Sequence, residues 1–367
     1  MAEFDYQDLV KATEGFSPSR LIGKGSHGSV YKGILLEENK VLAIKKSSIG
    51  IDHVSNDNSK KLENEICILS TLRDHQSPYI INFLGTSHDS AAAARNKEKI
   101  SSRKLLVMEF MPNGSLHEML HVAQTLPSWP KRVEIALQIA RAVQFLHENN
   151  PLVIHRDIKS ANVLFDANWN AKLADYGLAM SSPFDSLSHQ ASQPAGTIGY
   201  IDPCYTTPSK LSTKNDVFSY GVVLLEIISS RKAFDVSKAP ASIVEWATPL
   251  IQKDRVPIKE ICDPRIGLPP HMEGTIRHLL NVAARCVSSK EENRPSIGEI
   301  VMEMDSYCLV ERVKVVAASP SSWTSLIRSL ILMRRQRRLA KKYKRKCEDY
   351  SEISKGKLLL REILADT

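Results

Sequence analysis

Apolar residues recur along the chain with two different periods, and the change of period divides it. From about residue 16 to 44, short apolar runs alternate with Gly and polar turns. Leu21-Ile22, Ser29-Val30-Tyr31 and Val41-Leu42-Ala43-Ile44 read as strands of an antiparallel sheet. Residues 46–60 are polar, with Asp, Asn, Ser and Gly, and predict a loop. Leu62, Ile66, Leu69 and Leu72 then fall at helical spacing. A polar, Ala-rich stretch over 87–104 reads as a loop insertion before a strand at 105–109, and Pro112-Asn113-Gly114 punctuates a turn. Beyond that turn the pattern is helical. Val133, Ala136, Leu137, Ala140 and Val143 mark one helix face, and residues 217–228 are apolar almost all round, as in a helix buried on every side. Further helices are predicted over 279–287 and 297–304. The chain shows no internal repeat. The pattern predicts an α+β architecture of two lobes, a small sheet-rich one and a larger helical one. The cleft between such lobes is a usual place for a small-molecule site.

Composition changes this picture only at the end of the chain. Of 49 Lys/Arg and 41 Asp/Glu, 15 basic and 6 acidic residues lie from Glu311 onward, so the body is close to neutral and the excess of +8 belongs to the tail. The six cysteines are scattered without a C-x-x-C pair, which argues against a disulfide framework or a zinc-ribbon site and for a reducing compartment. The first residues carry no basic and apolar signal-peptide pattern, and Ala2 in place of Gly excludes N-myristoylation. No run of 18 apolar residues occurs, so no membrane span is expected.

The chemistry is concentrated in four motifs. Residues 155–162 read His-Arg-Asp-Ile-Lys-Ser-Ala-Asn, and thirteen residues past Asn162 stands Asp175-Tyr176-Gly177. They supply a candidate base (Asp157), a cation two residues on (Lys159) and two oxygen ligands suited to Mg2+ (Asn162, Asp175). These are the roles that phosphoryl transfer requires, because its catalysis consists of positioning and charge neutralisation. Upstream, Gly23-Lys24-Gly25-Ser26-His27-Gly28-Ser29-Val30 fits a glycine-rich turn whose backbone can approach phosphates. Alone it would fit an ordinary hairpin equally well. Leu42-Ala43-Ile44-Lys45 follows, placing a lysine 17 residues after Gly28. Four such motifs in order leave little room for coincidence.

Taken together these stretches resemble the eukaryotic protein kinase superfamily over about residues 16–305. Within it the chain is similar to the plant receptor-like cytoplasmic Ser/Thr kinases of the Pelle-related class. The finer likeness rests on the lead-in over residues 4–16, on Leu106-Val107-Met108-Glu109-Phe110-Met111-Pro112-Asn113-Gly114-Ser115-Leu116, on Gly196-Thr197-Ile198-Gly199-Tyr200-Ile201-Asp202-Pro203, and on Asp216-Val217-Phe218-Ser219-Tyr220-Gly221. The resemblance implies a lead-in over 1–15, a kinase domain over 16–305 (N-lobe 16–108, hinge 109–115, C-lobe 116–305) and a separate basic tail over 306–367. It implies ATP and Mg2+ as cofactors. Lys45 then holds the α/β-phosphates and pairs with Glu65, with Glu63 as the fallback. Met108 takes the gatekeeper position, the backbone of Glu109 and Met111 bonds adenine, and Ile22, Val30, Ala43 and Leu164 sandwich it. Lys159 marks Ser/Thr kinases, and Arg156 commonly binds a phosphorylated residue. One of Ser181, Ser182, Ser186, Ser188 and Ser192 is the expected phosphosite, although each alone reads more simply as a solvated loop serine.

Two positions depart from the family pattern. Tyr176 replaces a Phe and adds a hydroxyl that needs a partner. Cys204 replaces a Glu expected to pair with Arg294, so either Arg294 is exposed or another acid, such as Asp202, answers it. On this reading Cys204→Glu is expected to stabilise the segment. In the tail, Trp323, Leu326, Ile327, Leu330 and Ile331 follow an amphipathic helical spacing, and residues 334–346 hold nine basic residues in thirteen. The segment 323–346 resembles an anionic-membrane or calmodulin-binding helix, with a nuclear-import patch or a solvated tail as alternatives; nucleic acid is not an expected partner. The reading is a cytoplasmic Ser/Thr protein kinase acting on protein substrates, peripheral at the plasma membrane or alternatively nuclear, with an upstream receptor kinase as a partner. The alternative is a nucleotide-binding pseudokinase scaffold, and the oligomeric state is left open.

Overall fold

The computed structural model describes residues 2–25, 28–36, 39–47, 53–73, 77–88, 104–181, 194–252 and 258–317. Ser26, His27, the serines at 182, 186, 188 and 192, and the segment 323–346 lie outside the described residues. The chain forms two compact units, Met1–Ile300 and Val301–Thr367.

The first unit begins with a six-stranded sheet. Its strands are β1 (Ala2–Glu3), β2 (Leu21–Gly25), β3 (Gly28–Leu35), β4 (Lys40–Ser47), β5 (Phe83–His88) and β6 (Lys104–Glu109), in the order β1-β5-β6-β4-β3-β2. The pairing is antiparallel as expected, except that β1 runs parallel to β5, which makes the sheet mixed. Helix α1 (Tyr6–Ala12), capped by the Asp5 carboxylate accepting from the Asp8 amide at 3.0 Å, lays Leu9 into the sheet. Leu9, Leu42, Ile44, Leu105 and Val107 form one buried cluster. The lead-in is therefore packed against the sheet. The two-residue alternation of β4 follows from this: Leu42 and Ile44 join that cluster, so Ala43 and Lys45 face the opposite side.

Helix α2 spans His53–Leu72. The polar composition of 46–60 predicts a loop, but β4 runs to Ser47 and the helix already begins at His53. Asn58 and Ser59 are buried, so tertiary packing holds a turn of helix that local propensity would not. After β6 the turn at Asn113-Gly114 leads into α3 (Leu116–His121), whose Ser115 and Glu118 form a capping box. Gly114 has φ +68°, and a Cβ there would meet Glu118 Oε2 at 2.6 Å, so this turn requires glycine.

The remainder is mainly helical: α4 (Trp129–Glu148), α5 (Thr213–Ser229), α6 (Ile243–Gln252), α7 (Glu273–Cys286) and α8 (Ile297–Ala317). Four short strands, β7 (Val153–Ile154), β8 (Val163–Phe165), β9 (Ala171–Leu173) and β10 (Met180–Ser181), pair as β7/β10 and β8/β9. The predicted central helix is α5, buried at every position from Asn215 to Ser229. The α4 stripe includes Val133, Ala136, Ala140 and Val143 as predicted, widened by Ile135, Ile139 and Leu146. Through Asp216, helix α5 holds the backbone amides of His155 and Arg156.

Candidate active site

Lys45 stands at the centre of a three-charge cluster. Its Nζ donates to Glu65 Oε2 at 2.6 Å and to Asp175 Oδ1 at 2.8 Å. Glu65 follows Leu62 by three residues and precedes Leu69 by four, so it shares the buried stripe of α2. Glu63, the fallback, is half-buried on another face. Glu65 Oε1 also accepts from the Tyr176 amide at 3.2 Å, which ties α2 to the residue after Asp175. Burial opposes the Lys45 ammonium, but Glu65 and Asp175 outweigh it and raise its pKa well above the ordinary lysine range. Burial pushes Glu65 upward, with Asp175 adding to the rise and Lys45 pulling against it. With both carboxylates ionised, the cluster carries a net negative charge.

The second cluster is the catalytic loop. Asp157 is 4% exposed. Its Oδ1 accepts from Thr197 Oγ1 at 2.6 Å, and its Oδ2 accepts from Lys159 Nζ at 2.7 Å and Asn162 Nδ2 at 3.1 Å. Lys159 also donates to Thr197 Oγ1 at 2.8 Å, which closes a ring of three side chains. From α5, the Asp216 carboxylate accepts from the backbone amides of His155 at 2.8 Å and Arg156 at 2.9 Å, and contacts His147 Nε2 at 2.9 Å. Burial raises the Asp216 pKa, yet His147 and the His155 amide hold it below the usual carboxylate range. His155 Nε2–H donates to the Ala174 carbonyl at 3.1 Å while its Nδ1 accepts the Asp157 amide at 3.3 Å. Burial lowers the His155 pKa, which fits this neutral tautomer. Arg156 and Asp175 both adopt positive φ, at 68° and 66°, a strain that this network holds in place.

The donor set fits magnesium. Asn162 Nδ2 is committed to the Asp157 carbonyl at 2.8 Å, so its amide oxygen is turned the other way. With the Asp175 carboxylate it offers hard oxygen ligands beside the net negative cluster. A Cβ at Gly28 would meet the Lys46 carbonyl at 2.5 Å, so a side chain is excluded where β3 pairs with β4. Around the expected adenine slot, Ala43, Met108 and Met111 are buried, Val30 and Leu164 are half-buried, and Ile22 is exposed. The Glu109 amide donates to the Asn82 carbonyl at 3.1 Å, which leaves only the carbonyl of Glu109 for the expected adenine bond. Its side chain turns away to Lys172 Nζ at 2.7 Å and the Asn82 amide at 2.7 Å.

The protein kinase domain family matches residues 16–305. The chain belongs to the protein kinase family. A serine/threonine-protein kinase-like protein of Arabidopsis thaliana is 51% identical over 354 residues, covering 92% of this kinase and 96% of the relative. The probable serine/threonine-protein kinase PBL6 of the same plant is 36% identical over 311 residues, covering 82% and 68% of the two chains. The proline-rich receptor-like protein kinase PERK8, also from Arabidopsis thaliana, is 35% identical over 311 residues, 83% of this kinase and 43% of the relative. Within the family, this kinase falls among the plant receptor-like cytoplasmic kinases.

The two departures from the family pattern are both answered. The Tyr176 ring is fully buried, packs edge-on against His155 with centroids 4.8 Å apart, and donates its hydroxyl to the Leu173 carbonyl at 3.3 Å. Arg294 is buried, and Asp202 engages it through both carboxylate oxygens, Nη2 to Oδ1 at 2.7 Å and Nη1 to Oδ2. The guanidinium also stacks over Phe218 at 5.0 Å and donates from Nε to the Ser288 carbonyl at 2.9 Å. Cys204 Sγ sits 3.4 Å from Arg294 Nη2 and donates to the Ser289 carbonyl at 3.1 Å. The expected stabilisation by Cys204→Glu therefore falls away, because Asp202 already provides the charge.

Sequence reasoning missed Thr197 and Asp216 as site residues, although both lie inside motifs that carried the resemblance. The signal for Asp216 is a carboxylate at the start of an otherwise apolar buried helix. Such an acid must find donors inside the protein.

Proposed function

We propose that the protein is an active serine/threonine kinase that transfers the γ-phosphoryl of Mg-ATP to hydroxyls of protein substrates. The observation that carries this reading is the joined pair of networks, Glu65–Lys45–Asp175 and Lys159–Asp157–Thr197, in one chain. Lys45 supplies a fixed cation for phosphate oxygens, held in place by Glu65. Asp157 offers a carboxylate to the incoming hydroxyl and orients it. Lys159 places a second cation beside the same carboxylate. Held by Asn162 and Asp175, Mg2+ would supply the charge neutralisation that the transferred group needs. The pseudokinase alternative rested on Cys204, and the Asp202–Arg294 pair removes that support.

Phosphoamino-acid analysis of the autophosphorylated protein tests the substrate class. Phosphoserine and phosphothreonine are expected, whereas phosphotyrosine alone would overturn the assignment. Thr197 gives a finer test. Thr197→Val removes the hydroxyl from both Asp157 and Lys159, so kcat is expected to fall by about 10- to 100-fold, a loss of ~1.4–2.7 kcal/mol. Thr197→Ser keeps the hydroxyl and should recover most of it.

The same reading assigns protein substrates, an upstream receptor kinase and a site of action at the cytoplasmic face of the plasma membrane, with residues 323–346 as the membrane-binding segment. The nine cations of residues 334–346 each add about 1 kcal/mol near an anionic surface at low salt. A peptide of these residues should become helical on phosphatidylserine vesicles and shift Trp323 fluorescence to the blue. Equal binding to neutral vesicles would favour nuclear targeting as the account of the basic run.

A further inference from the structure

We propose that His117, His121 and Glu226 form a binding site for a divalent transition-metal ion, zinc by the chemistry of the donors. His117 and His121 lie four residues apart on α3 and therefore on one face. Their rings stand with centroids 4.7 Å apart at 55°. Glu226 approaches from α5, and one potential ligand atom from each of the three residues falls within 4.8 Å of the others. His121 Nε2 is already 3.0 Å from Glu226 Oε1. Ligand atoms around a tetrahedral zinc stand roughly 3.3–3.5 Å apart, given bonds of about 2.0–2.2 Å. The His121–Glu226 pair is thus near that spacing, and a rotation of the half-buried His117 closes the third side.

The surroundings have the form of a built site. Glu226 is 1% exposed, and its carboxylate is oriented by the Tyr200 hydroxyl at 2.6 Å on Oε2 and the Ser160 hydroxyl at 3.2 Å on Oε1. Such outer partners fix the direction of a carboxylate ligand. Burial and, less strongly, the neighbouring His121 lower the His117 pKa, which favours the neutral ring. Among the described residues, no hydrogen bond is formed to the His117 ring, and Glu226 takes His121 rather than His117. On metal binding the ion takes the place of the proton on His121 Nε2, and that proton moves to Nδ1 as the neutral tautomer. Two imidazoles and a carboxylate are a set that transition metals prefer and that Mg2+ does not. Ser160 follows Lys159 directly, so the site lies one hydrogen bond from the catalytic loop.

The test uses tag-free full-length protein without nucleotide or Mg2+, so its outcome is independent of phosphoryl transfer. Co2+ is added as a spectroscopic probe and Zn2+ in a calorimetric titration. Wild type is expected to show visible absorption bands of a tetrahedral Co2+ centre and one Zn2+ site. His117→Ala should abolish the bands and weaken Zn2+ at least tenfold while melting at the same temperature without metal. Zn2+ should raise the melting temperature of wild type and leave that of the variant unchanged. Equal Zn2+ affinity in the two proteins, or Co2+ spectra of the hexaaqua ion alone, would overturn the proposal.

Discussion

Lys45→Met is expected to abolish phosphoryl transfer and to lower the melting temperature as well. Both effects follow from the same two contacts. The activity loss comes from removing the fixed cation that we propose binds the phosphates, for which a loss of about 10²–10³ in rate is a reasonable floor. The stability loss comes from Glu65, which is 1% exposed and has Lys45 as its cationic partner at 2.6 Å. Removing one member of a buried pair costs ~3–5 kcal/mol. In a domain of this size that is a fall of roughly 6–20 °C. From sequence alone, the same variant would be expected to lose activity and keep its fold. The burial of Glu65 is what changes the expectation. Lys45→Met with Glu65→Gln should regain part of the stability and none of the activity. A single variant that melts with the wild type would show that Glu65 finds another partner.

The second large effect is expected at Asp202. Asp202→Ala leaves the buried Arg294 without the bidentate carboxylate, again a cost of ~3–5 kcal/mol. Asn215 Nδ2 loses its acceptor at 2.7 Å and the Cys204 amide loses one at 2.8 Å, so the start of α5 loosens too. Burial acts to raise the Asp202 pKa, but hydrogen bonds from Arg294, the Cys204 amide and Asn215 hold it below the ordinary carboxylate value. A depressed folded pKa means that the stabilisation is complete above the unfolded value of about 4 and is lost as pH falls through the lower folded value. The gap in melting temperature between wild type and Asp202→Ala should therefore be constant from pH 6 to 8 and shrink below about pH 4. Cys204→Glu is expected to be neutral or destabilising, since a second carboxylate would face one guanidinium already paired. A clear stabilisation by Cys204→Glu would mean that Asp202 does not satisfy Arg294 in solution.

Much of the frame was legible because it depends on local periodicity. The short apolar run Val41-Leu42-Ala43-Ile44 between Lys40 and Lys45 marks a strand, and α5 shows itself by being apolar on all sides. The pairing of Lys45 with Glu65 rather than Glu63 follows from the stripe through Leu62 and Leu69, which the resemblance had already selected. What was not legible depends on partners distant in sequence. Nothing local in residues 4–12 shows that Leu9 closes over Leu42 and Ile44. Nothing in the polar run at 53–60 marks a helix, because the burial of Asn58 and Ser59 is a tertiary event. Thr197 reads as one hydroxyl among several, and only the fold brings it to Asp157, 40 residues earlier. The replacement of the missing Glu was open in the sequence between exposure of Arg294 and a substitute acid. Packing of Arg294 over Phe218 decides for the substitute, since a cation held there cannot reach water.

Asp157, held by Thr197, Lys159 and Asn162, is the residue on which the proposed phosphoryl transfer depends most directly. The most direct measurement is autophosphorylation of the purified protein with Mg2+ and labelled ATP beside Asp157→Asn. Asparagine keeps the shape and loses the charge, so the variant should melt near the wild type while its rate falls by about 10²–10⁴. Wild-type protein that binds Mg-ATP yet incorporates no label, or an Asp157→Asn variant that labels as fast as wild type, would contradict the account.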